Sequence, residues 1–111
     1  NETWYFKLYA TYSTGATPDI KYAFTVPTGA TLNWGCGVRL ELAAAAIACD
    51  SVTGSGTSAG FSGNVGTVSM VFTGMAVNGG TAGNLQLQWA QQVADVSDTK
   101  VLTNSYLEAH K

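Results

Sequence analysis

Residues 4 to 12 place Trp4, Phe6, Leu8, Ala10 and Tyr12 on one parity and Tyr5, Lys7, Tyr9 and Thr11 on the other. A period of two is the signature of a strand with one face turned to a core, because successive side chains of a strand point to opposite sides. The same beat returns at 19–27, where Ile20, Tyr22, Phe24 and Val26 alternate with Lys21, Ala23 and Thr25. Pro27 closes that segment by removing a ladder donor. After a Thr-Gly turn another strand is expected, and around Trp34 the stretch NWGCGVRLEL sets Val38, Leu40 and Leu42 against Arg39 and Glu41. Val68, Met70 and Phe72 alternate within 67–77, NGGTAG supplies a turn able to take positive φ, and NLQLQWAQ follows as a strand. Residues 99–111 close the chain with one or two more strands.

Two segments resist this pattern. AAAAIAC at 43–49 is read as extended despite the helix preference of alanine, since glycine and serine lie close by. The Gly- and Ser-rich run 50–66 is read as a long loop, or a hairpin with a mobile tip. No amphipathic helix longer than two turns is predicted. About seven to nine strands at regular turn spacing predict a single all-β domain over 1–111, a sandwich or barrel. An antiparallel, jelly-roll-like sandwich is the expectation; the periodicity does not choose between that and an immunoglobulin-like sandwich, against which the lack of a Cys…Trp…Cys pattern counts. The chain opens on Asn1 rather than methionine, which fits a processed chain or the carboxy-terminal part of a longer one.

Charge separates this sequence from an ordinary soluble domain. Asp, Glu, Lys and Arg together make 11% of the residues, against about 25% in typical domains. Ser, Thr, Asn, Gln and Gly must cover the surface instead, or the surface must be hidden against other chains. Self-association is therefore expected. Five scattered basic residues and a net charge of −2 form no stripe for a phosphate backbone, so no nucleic-acid partner is expected. The densest apolar run, LAAAAIAC at 42–49, is eight residues long, well short of the roughly 18 a membrane-spanning helix needs.

The chemistry-bearing residues are sparse. His110 stands one residue from the end, where chains fray, and is a poor base for a catalytic triad. The acidic residues are dispersed apart from Asp95 and Asp98, which flank Ser97 in the manner of a turn. Cys36 and Cys49 are separated by twelve residues with no other cysteine; a disulfide across a hairpin is one reading, and two buried thiols are the blander, expected one. Two cysteines and one histidine without C-x-x-C spacing predict no metal site. Neither a catalytic residue nor a cofactor is expected, and the reading is non-enzymatic. NGGTAGN lacks the features of a phosphate-binding loop and leads into a strand.

Tryptophans and tyrosines offer a different chemistry, since Trp4, Trp34 and Trp89 with Tyr5, Tyr9, Tyr12, Tyr22 and Tyr106 could stack on sugars. Trp4 and Trp89 continue apolar parities and are expected in the core. Trp34, beside Asn33 and a Gly-Cys-Gly turn, is the candidate exposed binding aromatic. In LQLQWAQQ at 85–92, Leu85, Leu87 and Trp89 are expected to face inward, leaving Gln86, Gln88 and Ala90 outside. An amide both donates and accepts, so it can meet its own copy without charge repulsion. Gln86 and Gln88 are the candidate subunit-interface residues.

The segments DIKYAFTVPTGAT at 19–31 and GMAVNGGTAGNLQLQWAQQVADVSDTKVLTNSYLEAHK at 74–111 resemble a carboxy-terminal module that recurs in structural proteins of tailed bacteriophages. That pattern runs ADIK-F-FTVP, then G-GTAGTLQLQWAQNTSDA, then TTVLAGSYL. Here Gln92, Val93 and Ala94 stand where the pattern has Asn-Thr-Ser, and the middle of the chain has no counterpart. The resemblance implies a virion component, assembled in the host cytoplasm: a capsid decoration or head-fibre module, most often trimeric, that contacts the major capsid protein or another virion protein. The alternative it implies is a tail-fibre or receptor-binding tip gripping host surface glycans. No catalytic residue carries over.

Overall fold

The computed structural model describes residues 1–40, 51–61 and 65–111, and the side chains of these except 37–40. The alternation at the start of the chain becomes strand β1, Thr3–Thr14, followed by β2 (Ile20–Thr25), β3 (Thr31–Leu40), β4 (Val52–Thr53), β5 (Ser58–Phe61), β6 (Gly66–Val77), β7 (Gln86–Ala90), β8 (Lys100–Val101) and β9 (Tyr106–His110). The described residues thus hold nine strands and no helix, as the periodicity predicts. They form two antiparallel sheets, and the chain passes repeatedly from one to the other. The larger sheet runs β4-β3-β6-β1, with β8 and β9 both pairing with β1; the smaller runs β5-β2-β7. The result is a β-sandwich.

The core lies between the sheets and is built from one parity of every long strand. Phe6, Leu8, Ala10 and Tyr12 of β1, Leu32 and Trp34 of β3, and Val68, Met70, Phe72 and Ala76 of β6 face Ile20, Tyr22 and Phe24 of β2. Their rings interlock. Phe24 stands 4.8 Å from Phe6 and 5.1 Å from Trp34, while Phe72 stands 4.9 Å from Tyr22 and 5.8 Å from Trp34. Tilted and edge-on pairs of this kind are favoured by the ring quadrupole beyond their area burial. Gly74 makes room for them, because a Cβ there would lie 2.2 Å from Cζ of Phe6 and 2.8 Å from Cβ of Trp34.

Trp34 is therefore core, 2% exposed, and not the surface aromatic that its flanking Asn and Gly suggest. It falls on the same parity as Leu32, and the register with β6 sets it opposite Gly74, which has no side chain to crowd it. The other two tryptophans also depart from expectation. Trp89 is 45% exposed, and Trp4 is only half-buried, with the Lys111 ammonium 5.2 Å from its ring centroid.

Cys36 is disulfide-bonded, which corrects the expectation of two reduced thiols. The chain's only other cysteine, Cys49, lies outside the described residues, as does the segment 43–49 expected to be extended. The face shared by Val38, Leu40 and Leu42 likewise falls outside the described side chains. In β3 the register with β6 shifts between Cys36 and Val38.

The Gly- and Ser-rich run is more ordered than a loop over its described residues. It contributes β4 to the larger sheet and β5 to the smaller, and Gly54 (φ 94°) and Gly56 (φ 78°) take the left-handed turns between them. Gly29 (φ 83°) closes a turn in which the Ala30 N–H donates to the Pro27 carbonyl at 3.0 Å. The NGGTAG glycines, by contrast, are not needed for positive φ. A Cβ on Gly79 would lie 2.5 Å from the Gly29 carbonyl oxygen, so that glycine permits two turns to touch.

The end of the chain does not fray. β9 pairs with β1 from Tyr5↔His110 to Tyr9↔Tyr106, and β8 pairs with β1 at Tyr12 and Ser13. Between them Ser105 serves Thr11, its hydroxyl accepting from the Thr11 N–H at 2.9 Å and donating to the Thr11 carbonyl at 3.2 Å.

Candidate functional site

The outer face of the smaller sheet carries the two glutamines singled out in the sequence. β2 lies at its centre and sets the parity: Tyr22 and Phe24 point into the core, so Lys21, Ala23 and Thr25 point outward. Antiparallel pairing then fixes the neighbours. Ala23 is flanked by Ser58 of β5 and Gln88 of β7, Lys21 by Gly60 and Ala90, and Thr25 by Gln86. Gln86 and Gln88 stand side by side on this face, exposed to solvent, as expected.

These residues make a shallow trough with a floor of small groups. Lys21, Ala23, Gly56, Ser58, Gln88 and Ala90 line it. The side chain of Gln92 reaches back over Gly60, where a Cβ would come within 2.8 Å of its amide carbon. The face presents amides and a hydroxyl, with Lys21 as its only charge among the residues named. Such a surface can pair amide to amide or lie flat against another sheet; it offers neither a nucleophile beside a base nor two converging carboxylates.

Carboxylates elsewhere among the described residues have their own partners. Asp95 accepts from the N–H of Ser97 at 2.7 Å and from the Ser97 hydroxyl, and these bonds hold its carboxyl below the usual value. The pattern is the turn that its sequence predicts. Glu108 pairs with Lys7 at 2.8 Å, Asp98 with Lys100 at 2.9 Å, and Glu2 with Lys111. No group of His, Cys, Asp or Glu among the described residues is placed to hold a metal ion. None of the helices required to cross a membrane exists among the described residues.

A second face, missed in the sequence as a unit, is the outside of the larger sheet. Tyr9 stacks on Tyr106 with centroids 5.6 Å apart, Tyr5 lies 6.3 Å from His110, and the Lys7–Glu108 pair sits between these rungs. Tyr5 and Tyr106 are about half exposed. The signal was present in the off-parity residues of β1, but the pairing with β9 that gathers them is a long-range event. Of the residues proposed for sugar stacking, Tyr12, Tyr22 and Trp34 are core instead. Burial pushes the Tyr22 phenol well above its ordinary value, and neither its hydroxyl nor the Trp34 Nε1 has a hydrogen-bond partner among the described residues.

The two stretches that carry the resemblance, 19–31 and 74–111, contain β2 and β7, which are neighbours in the smaller sheet. Compared with protein-family models, with curated proteins and with solved structures, the chain matches none.

Proposed function

We propose that this chain is a non-enzymatic structural module of a tailed-bacteriophage virion, a capsid decoration or head-fibre component that works by packing against its own copies as a trimer and against capsid protein. The observation that supports this reading is the outer face of the smaller sheet. β2 and β7, the strands within the resembling segments, build a flat face of Ala23, Thr25, Gln86, Gln88 and Ala90 flanked by a single lysine. A solitary domain ordinarily covers a solvent-facing sheet with Lys and Glu. Amides over a floor of alanine and glycine suit a neighbour of the same composition. Purified protein that binds capsids lacking tails, and leaves host cells unbound, supports the proposal; binding to cells alone overturns it.

The tyrosines of the larger sheet favour a second reading, a receptor-binding tip for host surface glycans. With Trp34 buried, Tyr5, Tyr9 and Tyr106 are rings on the outside of this sheet that could stack on sugars. Glycan binding lost in Tyr5→Ala, with the oligomer intact, supports that reading; no glycan binding by the parent protein rejects it.

A further inference from the structure

The edge of β7 away from β2, unpaired among the described residues, is self-complementary, and we infer that a second copy of this chain adds its own β7 there, antiparallel, across a two-fold axis at Gln88. The inference rests on the reading that the chain works in copies of itself, and it adds a two-fold contact to the three-fold arrangement that the resemblance implies.

Backbone direction decides which groups are available. On β2 the Phe24 carbonyl accepts from the Gly56 N–H at 2.9 Å, and just past its end the Val26 N–H donates to the Ser55 hydroxyl at 3.0 Å, so these residues turn their polar groups toward the β5 side. Lys21, Ala23 and Thr25, alternating with them, turn theirs toward β7. Their partners Ala90, Gln88 and Gln86 are consequently the residues of β7 bonded to β2. Leu87 and Trp89 direct their N–H and C=O groups to the opposite edge, and β7 pairs only with β2 among the described residues.

An antiparallel copy centred on Gln88 sets Leu87 opposite Trp89 of the copy and Trp89 opposite Leu87 of the copy. These are the residues with free backbone groups, so both pairs become hydrogen-bonded pairs of the ladder. Gln88 meets Gln88 in the closer, non-hydrogen-bonded position, with Cα atoms about 4.5 Å apart. There each amide can donate to the other. On the core side, Leu87 of each copy covers the Trp89 ring that is now 45% exposed.

The other edges are less suited to this. β9 carries Glu108 at its midpoint, so pairing with itself would set carboxylate against carboxylate. β4 has two residues and β5 four. β7 has five and bears no charge, proline or bulge, the devices that keep sheet edges apart.

The test is sedimentation of the whole chain across the micromolar range, for wild type, Gln88→Lys, Gln88→Glu and a one-to-one mixture of the two variants. Both substitutions are at a solvent-facing position, and thermal melts confirm that each variant folds. The inference expects wild type at two chain masses, or six where the three-fold contact also forms. Each variant alone should fall below the wild-type mass, and the mixture should restore it, since lysine then meets glutamate across the axis. Wild type and variants all at three chain masses would overturn the two-fold contact and leave the proposed trimer standing. A wild type at one chain mass throughout would overturn both. Variants that dissociate but fail to re-associate when mixed would reject the Gln88 register.

Discussion

Tyr22 and Trp89 stand directly opposite each other across β2 and β7, on the same face of the sheet, yet Tyr22 is 0% exposed and Trp89 is 45% exposed. Parity determines the face, while position in the sheet determines the burial. β2 has a strand on either side and the larger sheet above it; β7 is an edge, and its outermost large side chain reaches beyond the cover.

The same contrast separates two tryptophans energetically. Trp34→Ala empties the middle of the aromatic core and should cost about 3–5 kcal/mol. Trp89→Ala should cost about 1 kcal/mol or less at protein concentrations too low for association. Urea denaturation followed by circular dichroism measures both, and equal losses would contradict the burial difference.

Gly74→Ala places a methyl group where the Phe6 ring and the Trp34 Cβ already meet. Overpacking of this kind should destabilise the fold by about 1–3 kcal/mol. Combining it with Phe6→Leu should recover part of the loss, because the shorter side chain vacates that space. A thermal melt of the two variants decides it.

Reduction should lower the melting temperature. Cys36 is in a disulfide, and removing a native disulfide from a small domain costs about 2–5 kcal/mol. Melts with and without dithiothreitol at neutral pH give the comparison, and identical curves would reject a stabilising role for the bond.

Stability should fall on the acid side. The hydrogen bond and charge of Lys7 hold the Glu108 carboxyl below its ordinary 4.5, and the Ser97 hydroxyl and N–H hold Asp95 below its ordinary 3.8. A depressed folded-state value contributes stability that is present above the unfolded value and lost as pH falls through the folded one. Lys7 is raised above 10.5 by Glu108, so its share is present below that value and lost as pH rises past the folded one. Both partners are exposed, so the effect should be small and screened by salt. In Glu108→Gln the acid slope should flatten, read from melts between pH 2 and 6.

Much of the architecture is legible in the sequence because it depends on local alternation. β1, β2 and β6 show their core faces residue by residue, and the outward placement of Gln86 and Gln88 follows from the same beat. What escapes is what depends on partners distant in the chain. Trp34 has polar and glycine neighbours in sequence, but its environment is Gly74, Phe24 and Phe72, brought together by the β3–β6 register. Trp89 continues an apolar parity that says nothing about whether its strand lies inside a sheet or at its rim. The run 50–66 has loop composition, and its two short strands take their pairing from β3 and β2 rather than from any propensity of their own. The Tyr9–Tyr106 rung is likewise invisible until β9 finds β1.

The two ends of the chain meet at one pole of the sandwich, where Lys111 engages both Glu2 and the ring of Trp4. The molecule is thus close to circular. A short peptide linking Lys111 to Asn1 should allow the chain to be reopened at the Thr28–Gly29 turn, where a Cβ on the glycine would meet open space, with the fold retained. Polypeptide joined before Asn1 or after Lys111 would leave from that shared pole, so cargo fused at either terminus would be displayed in the same direction.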